Sequence, residues 1–344
     1  MTTVELGPLA SGNSSRMFTE VADRRNLLLD YRTQYCNVLH AATDPLFGTP
    51  ASERMESAAN SDSAEVEGFY VRAVDFYDES NRSRERVALD FVNLSRQSGY
   101  PEFNVALLGM FNRTDGTSAV RFSDSAELGC RIEDSAESAS EILCGRDHFY
   151  NHYETEVDLP PGDYDLRVAI DFGGALRRAE VPVHIRTPEK SLAVSGIALC
   201  RRYFAHDQLL QRPQLKPDGI PTLPFELTPL VSKGIDFTPT AETRFNKKDP
   251  LAAYFELYEP LLAGGGNVHV QFEMRVVDAK TGEVKSDTGF KPADEYLNPG
   301  KAVIPISQQV AIGELSPGDY RLQVRAMDSS GNSTDWRTTS FTRE

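Results

Sequence analysis

The stretch Leu159-Pro-Pro-Gly-Asp-Tyr-Asp-Leu-Arg-Val-Ala-Ile-Asp171 returns, lightly edited, as Leu315-Ser-Pro-Gly-Asp-Tyr-Arg-Leu-Gln-Val-Arg-Ala-Met-Asp328. Pro fixes one turn dihedral and Gly accepts positive φ, so Pro161-Gly162 and Pro317-Gly318 predict chain reversals. The strand period then predicts Tyr164, Leu166, Val168 and Ile170 on one face and Asp165, Arg167, Ala169 and Asp171 on the other. In the second copy Tyr320, Leu322, Val324 and Ala326 face in, and Arg321, Gln323, Arg325 and Met327 face out. One apolar face and one wet face is the pattern of an antiparallel sheet packed on one side. A Tyr just after such a turn is the corner residue of a Greek-key sandwich.

The likeness extends upstream. Val87-Ala-Leu-Asp-Phe-Val92 sits where Ala253-Tyr-Phe-Glu-Leu-Tyr258 sits in the second half, and Phe103–Phe111 sits where Val268–Val277 does. Each of the latter precedes a polar turn with Gly, Asn112–Gly116 and Asp278–Gly282. Four features in one order predict two copies of one module. Short alternating strands between turn signals predict an all-β chain of two tandem antiparallel, Ig-like or fibronectin III-like sandwiches. The boundaries read as 66–200 and 225–344, joined by a Pro-rich linker over 201–224. Residues 1–65 read as an N-terminal helix over about Met17 to Ala42 and a mobile linker from Gly48 to Glu65. Leu28, Tyr31, Tyr35 and Leu39 form an apolar stripe on that helix and are candidate contacts for a protein partner.

A chain of 344 residues with 40% hydrophobic and 25% charged residues has a globular composition. No apolar run reaches the length of a membrane span. The N-terminus lacks the basic start and apolar core of a signal peptide. The formal net charge of −15 disfavours nucleic acid and anionic membrane. Acid concentrates between Asp115 and Asp158, without the Asp-x-Asp-x-Asp-Gly order of a calcium loop.

Catalytic patterns are missing: there is no Gly-x-Ser-x-Gly elbow, His-Glu-x-x-His or Walker loop. Cys144, His148 and His152, with Cys130 upstream, could hold zinc only on a helix. Residues four apart on a strand lie more than about 12 Å apart, and Phe149, Tyr150 and Tyr153 suggest strand. Cys130 and Cys144 instead bracket a polar loop that a disulfide would close, for about 3 kcal/mol. Cys36 and Cys200 read as buried free thiols. No cofactor and no metal is expected, and the chain is not read as an enzyme.

The order of the corner, Leu192-Ala-Val-Ser-Gly-Ile-Ala-Leu199, Phe245-Asn-Lys-Lys-Asp249, Ala253–Tyr258 and the closing Pro-Gly-Asp-Tyr strand resembles the C-terminal region of von Willebrand factor A-related proteins of Acidobacteria. The final strand also looks like strand F of a fibronectin type III module. The Asp-x-Ser-x-Ser metal motif of the A domain has no counterpart: Asp78-Glu-Ser80 continues to Arg82, and Asp328-Ser-Ser330 to Asn332. The resemblance implies accessory sandwiches, periplasmic or at the cell surface, with a structural or protein-interaction role. Two alternatives remain. One is a carbohydrate-binding sandwich using aromatics such as Tyr254, Tyr258 and Trp336, the only tryptophan, with a glycan as partner. The other is the accessory part of an enzyme whose catalytic domain lies elsewhere.

Overall fold

The computed structural model describes residues 50–60, 69–77, 83–92, 103–115, 118–128, 150–172, 175–187, 189, 191–205, 230–263, 265–266, 268–298 and 300–344. The first sandwich is built from β1 (Phe69–Tyr77), β2 (Ser83–Val92), β3 (Phe103–Arg113), β4 (Ser118–Leu128), β5 (Tyr150–Asp158), β6 (Gly162–Phe172) and β7 (Ala175–Ile185). Sheet I has the order β4-β3-β6-β7, and sheet II the order β1-β2-β5. All their pairings are antiparallel. Odd-numbered residues of β1 and β2, among them Phe69, Val87 and Leu89, meet Leu107, Phe111, Leu166, Val168 and Ile170 in one core.

The second sandwich repeats this pairing. Its strands are β8 (Ala193–Val194), β9 (Ala198–Ala205), β10 (Val231–Ser232), β11 (Ile235–Pro239), β12 (Arg244–Phe245), β13 (Ala252–Tyr258), β14 (Val270–Asp278), β15 (Val284–Asp287), β16 (Lys291–Pro292), β17 (Val303–Gln309), β18 (Gly318–Asp328) and β19 (Arg337–Arg343). Sheet III runs β10-β11-β9-β13-β17, and sheet IV runs β12-β19-β18-β14-β15. Without the hairpin β10–β11 and the short β8, β12 and β16, both sandwiches read A-B-E against C′-C-F-G. That is the pairing of a fibronectin type III-like domain, and the chain is two such sandwiches in tandem. The core of the second joins Phe255, Leu257, Ile304 and Ile306 to Phe272, Met274, Leu322 and Val324.

Three boundaries differ from the sequence reading. The helix α1 (Pro50–Ala59) lies inside the stretch expected to be a mobile linker. It is held because Met55 and Ala59 pack on Leu108, Met110 and Ala169 of sheet I. The second sandwich begins before residue 200, since β8 and β9 pair with β13. Residues 201–205, expected in the linker, continue β9 and pair with β11. Trp336 immediately precedes the last strand. The expected helix over 17–42, with Leu28, Tyr31, Tyr35 and Leu39, lies outside the described residues, as do Cys36, Cys130, Cys144 and His148.

The turn chemistry of the repeated motif is the same in both halves. Gly162 and Gly318 take φ of +154° and +157°, which a side chain resists. Behind each, the alternation of β6 and β18 buries the apolar set. The Tyr164 hydroxyl donates to the Pro160 carbonyl at 2.8 Å, and the Tyr320 hydroxyl donates to the Ser316 carbonyl at 2.8 Å. Tyr164 meets Phe111 edge-on, and Tyr320 stacks on Phe341. Pro161, Gly162 and Tyr164 thus occupy the same place in strand F as Pro317, Gly318 and Tyr320.

Candidate functional site: the seam between the sandwiches

The two sandwiches do not hang end to end. Sheet II lies against sheet III, so four sheets stack in the order I, II, III, IV. Even-numbered residues of sheet II, among them Val74, Phe76, Arg84, Arg86 and Asp90, are buried there. Val74 and Phe76 pack with Ala198, Cys200, Leu230, Phe237, Ala252 and Tyr254 in a core of their own. All seven residues of β13 are buried, because Ala253, Phe255 and Leu257 serve the second core while Tyr254, Glu256 and Tyr258 serve the seam.

Arg84 sits at the centre. Its side chain is fully buried, and it donates to Glu156 of its own sandwich at 2.8 Å and to Glu256 of the other at 3.2 Å. Glu256 also accepts the hydroxyls of Tyr254 at 3.0 Å and Tyr258 at 2.6 Å. The Tyr258 hydroxyl in turn accepts the Tyr77 N–H at 2.9 Å, so the chain of bonds crosses the seam twice. Burial pulls the Arg84 guanidinium toward losing its proton, but the two glutamates outweigh it and hold the charge firmly. Burial, then the Glu256 carboxylate, pushes the Tyr258 phenol far above its usual range.

A second cluster closes one end of the seam. Asp75 Oδ2 accepts Arg186 of the first sandwich at 3.1 Å and Arg337 of the second at 2.8 Å. Both guanidiniums also donate to the Val194 carbonyl. Glu85 lies opposite Asp75 in the β1–β2 register and is buried. Burial pushes the Asp75 carboxyl up to about 6 against the pull of Arg186. Burial, then the Asp75 charge, pushes Glu85 well above the carboxylate range. Gly196 donates its N–H to the Asp75 carbonyl at 2.7 Å. A Cβ there would stand 2.5 Å from Asp75 Oδ1 and 2.8 Å from Val74 Cγ1, so glycine permits this approach.

At the other end, Asp90 Oδ2 accepts the Thr240 hydroxyl at 2.6 Å and the N–H groups of Ala241 at 2.6 Å and Glu242 at 3.1 Å. Arg72 bonds the Thr339 hydroxyl, and Arg244 bonds the Tyr70 hydroxyl, both across the seam. None of these groups stood out in the sequence. The available signal was β13 itself, Ala-Ala-Tyr-Phe-Glu-Leu-Tyr, which carries large side chains on both faces. A strand apolar on both faces is buried on both.

The sugar-platform alternative loses its residues. Tyr254 and Tyr258 are 0% and 4% exposed inside the seam. Trp336 lies on the outer face of sheet IV, with the guanidinium carbons of Arg275 and Arg325 3.9 Å and 4.5 Å from its ring. Cys200 is a buried free thiol, and burial raises its pKa, which makes it unreactive. His152 falls on β5, and the other members of the conditional zinc set, Cys130, Cys144 and His148, lie outside the described residues. Among the described residues, no three His, Cys, Asp or Glu side chains converge to hold a metal. Among them, too, no helix is long and apolar enough to cross a membrane.

No family model matches the chain, and no curated protein matches it. Solved structures similar to it include a DUF3823 family protein from Bacteroides ovatus, 8% identical, covering 71% of this chain and 89% of that one, with a TM-score of 0.23. The fibronectin(III)-like modules of Clostridium thermocellum CbhA are 9% identical over 76% of this chain and 85% of theirs, with a TM-score of 0.19. A bacterial adhesin from Mobiluncus mulieris is 9% identical over 80% of this chain and 99% of its own, also at 0.19.

Proposed function

We propose that the chain is a non-catalytic structural and protein-interaction unit, in which two sandwiches of one kind are locked side by side into a rigid body. The observation that carries this reading is the Arg84–Glu156–Glu256 network. Buried charge in a seam is costly unless every partner is in place, so the seam admits one arrangement of the two sandwiches. A flexible tandem would keep these carboxylates in water. Chemistry would require a nucleophile or metal, a tuned acid or base and an orienting group meeting in a cleft. The perturbed groups here are packed between two sheets instead. The likeness of the corner and closing strands to von Willebrand factor A-related proteins supports an extracytoplasmic setting.

Calorimetry tests the reading. One cooperative transition, with calorimetric and van't Hoff enthalpies equal, is expected for the pair. Two resolved transitions, one per sandwich, would show independent modules and overturn it.

A further inference from the structure

The stack has two outer faces. That of sheet I carries helix α1, which buries Met55 and Ala59 on it. That of sheet IV carries a ladder of cations and rings. Arg325 lies 5.0 Å from the Phe290 ring and 4.5 Å from that of Trp336, and Arg275 lies 3.9 Å from Trp336. Phe290 is 40% exposed, and Trp336, Arg275, Arg321 and Arg325 are half-buried. We propose that this face is a docking surface for an acidic polypeptide, an inference that rests on the interaction role argued above.

Three observations point to that occupant. The first is charge. The chain carries −15 overall, yet on this face Arg275, Arg321 and Arg325 equal in number the acids beside them, Glu273, Asp287 and, at the far end, Asp319. The second is preorganisation. Arg275 is anchored through Nε to Gln323 at 2.8 Å, and Arg325 through Nε to Glu273 at 2.6 Å. The two Nη nitrogens of each fork take no part in those bonds, and a fork held this way suits a carboxylate. The third is composition. Trp, Phe, Met and Arg are the residues enriched where proteins meet, and here they are Trp336, Phe290, Met327 and the arginines. A sugar would need a bare ring face, and guanidinium groups already crowd the indole.

Trp336 is the only tryptophan, so its emission reports on this face alone. Titrating the full chain with a synthetic oligoglutamate peptide should give a saturable change in that emission. The affinity should weaken about tenfold between low and physiological salt. The paired substitution Arg275→Glu with Arg325→Glu should lose binding at least about tenfold while the thermal melt stays cooperative. If the pair fails to fold, Arg321→Gln, at the edge of the ladder, should still weaken binding. No change in emission at millimolar peptide, or equal binding by the charge-reversed chain, overturns the proposal. So does tighter binding of oligogalacturonate, which would assign the face to an acidic glycan. Self-association in sedimentation that the same substitutions abolish would assign it to a second copy, and also overturns it. Calorimetry is the independent arm: a single transition with no peptide binding sinks the docking face and leaves the locked unit standing.

Discussion

Single side chains decide how each sandwich turns its corner. The Tyr320 hydroxyl pairs with the Ser316 carbonyl from a position 3% exposed. Tyr320→Phe leaves that carbonyl without its donor and should cost on the order of 1–3 kcal/mol, seen as a lower melting temperature. An unchanged melt would remove the corner bond from any account of stability. Asp75 gives a second expectation. Its carboxyl moves from an ordinary 3.8 to about 6 in the fold, with Arg186, Arg337, Tyr77 and Glu85 around it. Between those values the folded state holds a proton that the unfolded chain has released. The contribution is therefore complete below about pH 4 and disappears as pH rises through 6, by at most about 3 kcal/mol. Stability measured across that window should fall more steeply for the parent than for Asp75→Asn. Parallel curves would contradict the linkage. The corner was legible in the sequence because it is local: turn, tyrosine and alternation lie within a dozen residues. Asp75 was not, because its partners come from positions 186, 196 and 337.

At the scale of elements, alternation told which residues of a strand share a face but not what covers each face. Strand β2 turns Val87 and Leu89 toward the first core and Arg84, Arg86 and Asp90 outward from it. In the structure the outward set meets a second sheet instead of water. The same blindness applies to α1, whose sequence Pro-Ala-Ser-Glu-Arg-Met-Glu-Ser-Ala-Ala is polar enough to pass for a linker. Its two buried residues, Met55 and Ala59, are one turn apart and found only by their contact with sheet I. The seam can be weighed directly. Arg84→Met would remove the cation that Glu156 and Glu256 share and should cost about 3–5 kcal/mol in denaturant titration. Adding Glu156→Gln and Glu256→Gln should recover part of that loss. A cost under about 1 kcal/mol for the single change would mean the network does not hold the sandwiches together.

For the whole molecule, the count of two sandwiches and their fibronectin type III-like class followed from repeated motifs, while their mutual placement did not. Tandem copies of a module suggest beads on a string, with a linker where prolines gather. Here the connection is the short stretch between Ile185 and Ala193, and the prolines beyond residue 211 fall after β9 has already entered the second sandwich. Side-by-side stacking needs that short crossing, the glycine at 196 and a strand with no free face. The last of these shapes how such a chain can change over generations. Each of the seven positions of β13 answers to an interior, and positions 254, 256 and 258 answer to the opposite sandwich. Neither half can drift there alone. The two sandwiches are obliged to vary as a matched pair, position 84 with position 256 and position 77 with position 258, and a copy lifted from one chain into another would arrive without its fit.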